Sequence, residues 1–431
     1  MIYWAQLLHF YQPPIQMPVV LRKICEESYR PLIKVFQEHP YAKATVNING
    51  VLTEMLSDQG HGDIIEGLKE LAARGQIEFT GTAKYHAILP LIPEAEVYRQ
   101  ITQNRRTNSY FLGKWYRPKG FFPPEMCYSA EIIPSVVKTE HQWLILSGIA
   151  CPVEWPLDVI HKVVWNGSAL RVLFRDDILS NKISFQNLSP QDFIASLEQL
   201  QENRENIYVV TAMDAETYGH HIQNWEKLFL AAVYDELEPR KETYNGIKQA
   251  KALSVQQAAL AESVEAVTQV RTATLSELID IFSEGEIIEP KPSSWSTTAE
   301  DMAAGNPYPL WLDKGNEIHR LQWEHLYLCM EMVNQAFKCA DNDESKFFAG
   351  ISRGLLDSAE HSCQFWWASR RPMWDINLVH LGLINQWRVV VNAYRAINTS
   401  GSPGEVKREY YHKVVAARDL RDKIVDRLFI L

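Results

Sequence analysis

No apolar run in this sequence reaches the ~18 to 20 residues needed to cross a bilayer. The N-terminus shows neither a basic leader nor a small-residue cleavage site, so a soluble chain kept in the cytoplasm is expected. Cysteine is sparse. The six cysteines are scattered without a Cys-x-x-Cys pair, which argues against a disulfide scaffold and against a zinc ribbon. Positive charge is short: 43 basic against 53 acidic residues give a net charge of −10 with no long basic block, so neither nucleic acid nor a membrane is an expected partner. No repeat of solenoid period and no low-complexity linker interrupts the chain. No Gly-x-Ser-x-Gly elbow, Walker loop or dinucleotide fingerprint stands at a strand-to-helix junction, and no cofactor is expected.

What is abundant is aromatic. Thirteen Trp and eighteen Tyr, many beside Pro, Gly, His or an acidic residue, offer flat apolar faces with polar edges, which suit sugar rings. The 431 residues suffice for one large α/β domain with an extension. Strand-like runs at 3–8, 44–48, 76–80, 118–125, 143–150 and 207–210 alternate with helical periodicity at 19–37, 64–74, 94–116 and 191–201. A hairpin is expected where 163–165 and 170–174 flank Asn166-Gly167. Residues 249–266 read as a polar helical stretch, 272–279 as a strand running into a helix, and 289–298 as a loop. Beyond it, 316–338, 346–367, 377–398 and 406–428 read as helices. The pattern predicts an α/β barrel of about seven strands over 1–300, followed by a helical domain, 301–431, packed on the barrel rim.

The stretch 207–221 is an apolar strand that ends in Asp214, Glu216, Gly219, His220 and His221. Similar polar groups follow other predicted strands: His9 and Gln12 after the first, Glu78 to His86 around the third, Glu125 after a proline-rich run. In a parallel barrel these carboxyl ends share one rim, so residues distant in sequence converge on one pocket. Two carboxylates in unlike settings, Glu125 and Asp214, suit glycoside hydrolysis, in which one acid stays charged while the other holds a proton. Glu125 also reads as a carboxylate at the N-terminus of a helix over 132–137. The histidines permit a metal-dependent enzyme such as a polysaccharide deacetylase, but with neither His-x-His nor a helical His-x-x-x-His no metal ligand is assigned.

At these residues the chain resembles glycoside hydrolase family 57, whose members are retaining α-glucan-active amylases, 4-α-glucanotransferases and branching enzymes. Five blocks appear in the family's order: Leu8-His9-Phe10-Tyr11-Gln12-Pro13, Gly75-Gln76-Ile77-Glu78, Pro124-Glu125, Asp214-Ala215-Glu216-Thr217-Tyr218-Gly219-His220, and Ser294-Trp295-Ser296. The resemblance implies an incomplete (β/α)7 barrel with a C-terminal helical domain. It makes Glu125 the nucleophile and Asp214 the general acid/base, acting on an α-glucan through a covalent glycosyl-enzyme. His9, Gln12, Glu78, His86, Glu216 and His220 are expected to bind substrate, with Trp295 and Trp366 as stacking or lid surfaces. Two positions depart from the pattern: Tyr11 replaces a usual histidine, and Cys363, after Ser362 in the tail, replaces an aspartate. The competing class is a carbohydrate-binding or regulatory protein on an inactive barrel.

Overall fold

The computed structural model describes residues 1–202, 204–237 and 269–430; the stretch 249–266 lies outside them. Ten strands occur among the described residues: β1 (Ile2–Phe10), β2 (Ala44–Ile48), β3 (Ile77–Phe79), β4 (Gly120–Phe121), β5 (Trp143–Ser147), β6 (Val159–Trp165), β7 (Ser168–Arg175), β8 (Ile207–Asp214), β9 (Val270–Ala273) and β10 (Ser283–Ile287). β1 is apolar along almost its whole length because it is covered on both faces, as a central parallel strand must be. It pairs in parallel with β8 along most of its length, with β2 at its carboxyl end and with β9 at its amino end.

The strands form two five-stranded sheets. They join at a parallel bridge between Gly81 and Phe121, and again where the Asp176 amide donates to the Val210 carbonyl at 2.7 Å. The parallel strands therefore run β8, β1, β2, β3, β4, β5, β7 and back to β8, a seven-stranded barrel. Alternate side chains point inward, and Ala5, Leu7, Ile145, Leu173, Val210 and Ala212 fill the interior together with Leu275 and Leu278. The opposite faces, including Trp4, Leu8, Val46 and Val209, pack on the surrounding helices.

The hairpin around Asn166-Gly167 forms β6 and β7, with both turn residues in the left-handed region (φ 47° and 77°). The expected strand over 118–125 shrinks to β4, because its prolines cannot donate to a ladder. β10 was not legible: Ser-Glu-Gly-Glu-Ile is a polar edge strand without the usual apolar alternation. The helical run after β1 spans Pro18–Ile24 and Arg30–Glu38, joined by a π-turn over Cys25–Tyr29.

In the tail, Glu317–Cys339, Asp343–Ala359, Ile376–Thr399 and Gly404–Phe429 are long helices. The first three are capped by Asn316, Asn342 and Asp375, whose side chains accept from first-turn amides. The expected helix over 346–367 is broken at Glu360–Ser362 and resumes as Cys363–Trp366. The break follows from tertiary pairing, since His361 bridges to Ala87 and the Ser362 amide donates to the His86 carbonyl. One apolar cluster holds both Leu144, Val172 and Phe174 of the barrel and Trp323, Met332 and Val389 of the tail, so the helices share a core with the barrel.

Candidate active site

The carboxyl ends of the parallel strands bring His9, Asn47, Arg175 and Asp214 to one rim. His9 stands level with Asn47 on one side and with Asp214 on the other. The Nδ1 of His9 lies 2.6 Å from Asn47 Oδ1, its Nε2 lies 3.0 Å from His86 Nε2, and His86 Nδ1 lies 2.8 Å from Ser362 Oγ. With the Asn47 oxygen accepting, His9 carries its proton on Nδ1, His86 donates to His9, and Ser362 donates to His86. Burial lowers the pKa of both imidazoles, so the chain is neutral and directional. Its two histidines face each other through their Nε2 atoms, and no cluster of three or more His, Cys, Asp or Glu side chains placed to hold a metal ion occurs among the described residues.

Glu125 follows β4 in a left-handed backbone conformation (φ 58°, ψ 17°), and Met126 (φ 50°) and His86 (φ 59°) share that region. Three non-glycine residues held there cost about 1–3 kcal/mol each and mark a surrounding structure that over-determines them. The Trp295 amide donates to the Glu125 carbonyl at 3.1 Å, and the Trp295 indole donates to Glu125 Oε2 at 2.7 Å. Oε1 lies 3.8 Å from His86 Nδ1. Glu125 is thus aimed by a tryptophan and does not cap the helix Ile133–Lys138, whose N-terminus has no side-chain cap.

Burial raises the pKa of Asp214, while His9 and Arg175 oppose the rise. The Glu125 carboxyl is pushed up to about 8 by burial and then by the charge of Asp214, against the indole bond. Arg175, at the end of β7, is fixed by the Ala212 carbonyl (2.8 Å), Asp177 (2.7 Å) and Asn181 (2.9 Å), and lies 5.9 Å from the Trp295 ring. Its fixed charge favours the ionised form of Asp214, while burial and the charge of Asp214 favour the protonated form of Glu125.

Not every expected residue joins this cluster. Glu78 pairs with Thr45, two positions before Asn47, and so lies one layer beneath the rim. It accepts from the Thr45 hydroxyl (2.8 Å) and the Ser276 amide (2.9 Å), holding the N-terminus of the helix Leu275–Ile281 inside the barrel. Glu78, expected as a substrate contact, is thus placed below the rim as an anchor of that helix. Glu216 is buried beside Asp214, with its Oε1 taking Gln12 Nε2 (2.8 Å) and the Tyr29 hydroxyl. Burial and the charge of Asp214 push its carboxyl to about 8. His220 turns to Glu27 (2.7 Å). Trp366 packs partly against the tail's apolar clusters, and no hydrogen bond or ring contact joins it to either acid.

The π-turn explains these placements. The extra residue per turn presents Glu27 to His220, Ser28 Oγ to the Ala215 carbonyl (2.9 Å) and Tyr29 to Glu216, so one helical irregularity fixes the loop after Asp214. Gly219 (φ 107°) sits against it, and a Cβ there would lie 1.8 Å from the Glu27 carbonyl oxygen. Gly219→Ala is expected to destabilise the protein by more than about 1 kcal/mol, readable in thermal melts. An unchanged melting temperature would show that the loop moves freely.

Asn47, Phe122, Arg175 and Ser362 were missed from sequence. Arg175 carried a usable signal, since Arg175-Asp176-Asp177 closes an apolar strand as the other site blocks do. The two departures noted above meet in space: the Cys363 thiol donates to the Tyr11 hydroxyl at 3.5 Å, and the Tyr11 ring stacks on His86 at 3.9 Å. His9 stacks in turn on Phe122 at 4.8 Å. Burial raises the pKa of both groups, Cys363 to about 12, so a neutral pair lines the wall beside Glu125.

The chain is similar to known proteins in sequence and in structure. The chain is 31% identical over 146 residues to alpha-amylase 1 of Dictyoglomus thermophilum, covering 34% of this chain and 21% of that protein. It is 25% identical over 220 residues to an alpha-amylase of Pyrococcus horikoshii, covering 49% and 33%. These matches span about a fifth to a third of the relatives' lengths. In structure it superposes on a branching enzyme from Thermococcus kodakaraensis with a TM-score of 0.71 at 16% identity, covering 97% of this chain and 95% of that one. The 4-alpha-glucanotransferase of Thermococcus litoralis gives a TM-score of 0.66 at 17% identity, covering 90% and 59%. The family model "Glycosyl hydrolase family 57" matches residues 8–260, more than half of the chain, and the chain belongs to that family.

Proposed function

We propose that the protein cleaves and transfers α-linked glucans with retention of configuration, with Glu125 attacking the anomeric carbon and Asp214 as general acid and then base. The observation that carries this reading is the pair of rim carboxylates in unlike settings: Glu125 aimed by the Trp295 indole, Asp214 beside the fixed charge of Arg175. Retention calls for carboxyl groups about 5 to 5.5 Å apart. Substrate binding must move the resting proton from Glu125 to Asp214 before attack, and a sugar oxygen placed against Asp214 supplies the acceptor for it.

Hydrolysis or transfer is decided by whether water or a sugar reaches the covalent intermediate first. The segment after Trp295 is tied down on the rim: Tyr308 donates to the Tyr128 carbonyl (2.6 Å), and Arg371 grips Asp301 in a two-point ion pair (2.7 and 2.9 Å). A fixed wall on the acceptor side favours transfer among short α-1,4-glucans. Incubation with maltopentaose followed by product separation tests this. A ladder both longer and shorter than the substrate means transfer, only shorter products mean hydrolysis, and untouched substrate that still binds supports a non-catalytic sugar-binding barrel.

The pH dependence of kcat/KM is expected to be bell-shaped, with its alkaline limb near pH 8. The pair works with one proton. Above about 8 the Glu125 carboxyl loses its proton, both acids are charged and none remains to protonate the leaving oxygen. At low pH both acids are protonated and no nucleophile remains. The two one-proton arrangements titrate together, so where the proton rests changes the height of the bell and not its limbs. An alkaline limb below pH 6 would count against the coupling.

A further inference from the structure

The loop after β3 sends consecutive side chains to opposite sides. His86 is fully buried in the rim cluster, while Tyr85 turns outward to a cavity of about 570 Å3 on the barrel flank. That volume falls within the ~300–1,000 Å3 range of small-molecule sites. Its walls come from the helices Gly50–Asp58, Glu94–Leu112 and Asp343–Ala359.

Three features of the walls suit a neutral polyol. Tyr110 is 82% exposed at the cavity mouth, held edge-on by Phe111 with ring centres 4.9 Å apart. Burying it against solvent-excluding ligand surface is favourable, and its flat face matches the C–H face of a pyranose. One helical turn before it, Arg106 is exposed and has no side-chain hydrogen bond or ion pair among the described residues, so a planar fork of donors stands free. Glu54 supplies the acceptor: its Oε1 takes Lys84 (2.7 Å) and Thr107 (3.3 Å), leaving Oε2 without a partner among the described residues. Lys84 is thereby neutralised and reaches over the Tyr85 ring at 5.1 Å. A strongly anionic ligand would meet the carboxylates of Glu54 and Asp357 in the same walls, whereas sugar hydroxyls both donate to Glu54 and accept from Arg106.

We propose that this flank cavity, between Tyr85, Arg106 and Tyr110, is a second oligosaccharide-binding site, separate from the catalytic rim and suited to holding a chain of a longer α-glucan. The identity of the sugar rests on the function proposed above; the site itself rests on the cavity. Its use is to raise the local concentration of polymer beside the rim.

The test uses the full chain in four forms: unmodified, Glu125→Gln, Tyr110→Ala, and Arg106→Ala with Tyr110→Ala. Retardation in gels containing soluble glycogen or amylose reads polymer binding, and maltopentaose turnover reads the rim. Both replaced residues are exposed, so thermal melts should coincide. The double variant is expected to lose about five-fold or more in polymer affinity with maltopentaose turnover unchanged, while Glu125→Gln keeps polymer binding and loses turnover. Equal retardation of the double variant and the unmodified chain overturns the proposal. If no α-glucan is bound or turned over, the function proposal fails. A panel of other neutral oligosaccharides then decides the site alone: binding abolished by the double variant and kept by Glu125→Gln supports it, and no Tyr110-dependent binding overturns it.

Discussion

Replacement of Asp214 by Asn is expected to lower turnover of α-glucans by about 10²- to 10⁴-fold, the contribution of a positioned general acid, and Glu125→Gln at least as far. Neither change should weaken the fold. Both side chains are raised carboxylic acids, and a neutral amide of the same shape removes the cost of ionising them. For Glu125 the sign follows from its pKa of about 8. The folded state favours the protonated form, so the stability this group confers is full below the ordinary glutamate range and is lost as pH rises towards 8. Glu125→Gln should therefore be no less stable than the unmodified protein at pH 5 and more stable at pH 8.5. Azide separates the two roles. With an activated α-glucoside, Glu125→Ala should give the β-glycosyl azide by a single displacement, whereas Asp214→Ala should form the glycosyl-enzyme first and give the α-glycosyl azide. The reverse assignment of products would exchange the roles, and no effect of either substitution would place the chemistry elsewhere.

The largest expected loss of stability lies between the barrel's flank and the tail. Arg353 makes two parallel bonds to Glu96 (both 2.9 Å), reaches Asp357 at 2.8 Å, and stands 3.5 Å from Glu360, with every member of the group nearly buried. From the partly exposed edge, Arg99 adds its own paired bonds to Asp357 (2.6 and 2.7 Å). Arg353→Ala leaves the buried Glu96 carboxylate without its cation and is expected to cost about 3–5 kcal/mol. Glu360→Gln should cost far less, because burial and the neighbouring carboxylate of Glu96 already hold Glu360 towards its neutral form. Chemical denaturation of the two variants checks the ranking. Equal losses would mean that Glu360 is charged in the folded protein.

Much of this architecture was legible in the sequence because the barrel's strands are buried on both faces and end in polar residues. That rule led to His9, His86, Glu125 and Asp214, which the structure brings together, and it applies equally to Arg175 at the end of β7, which was not singled out. Glu78 shows its limit. Position after a strand does not tell how far up the barrel a residue stands, and register alone puts Glu78 one layer too low. Ser362 and the Tyr11–Cys363 contact were beyond periodicity, since they depend on where a helix breaks and on which distant loop it then meets. Trp366 follows the same break, and its neighbours are set by helix packing that no local pattern encodes.

That break in the tail has a consequence for how the pocket is assembled. His86 is made early, yet the hydroxyl that closes its hydrogen-bond chain is Ser362, and the thiol opposite Tyr11 is Cys363. During synthesis the barrel strands all emerge before either arrives, and domains fold from the N-terminal side as they appear. A nascent barrel would hold both acids with one wall of the pocket open to water. The pocket is closed only when the tail docks, so its assembly waits for Ser362 and Cys363, and a chain cut before them would be a barrel with an unfinished pocket.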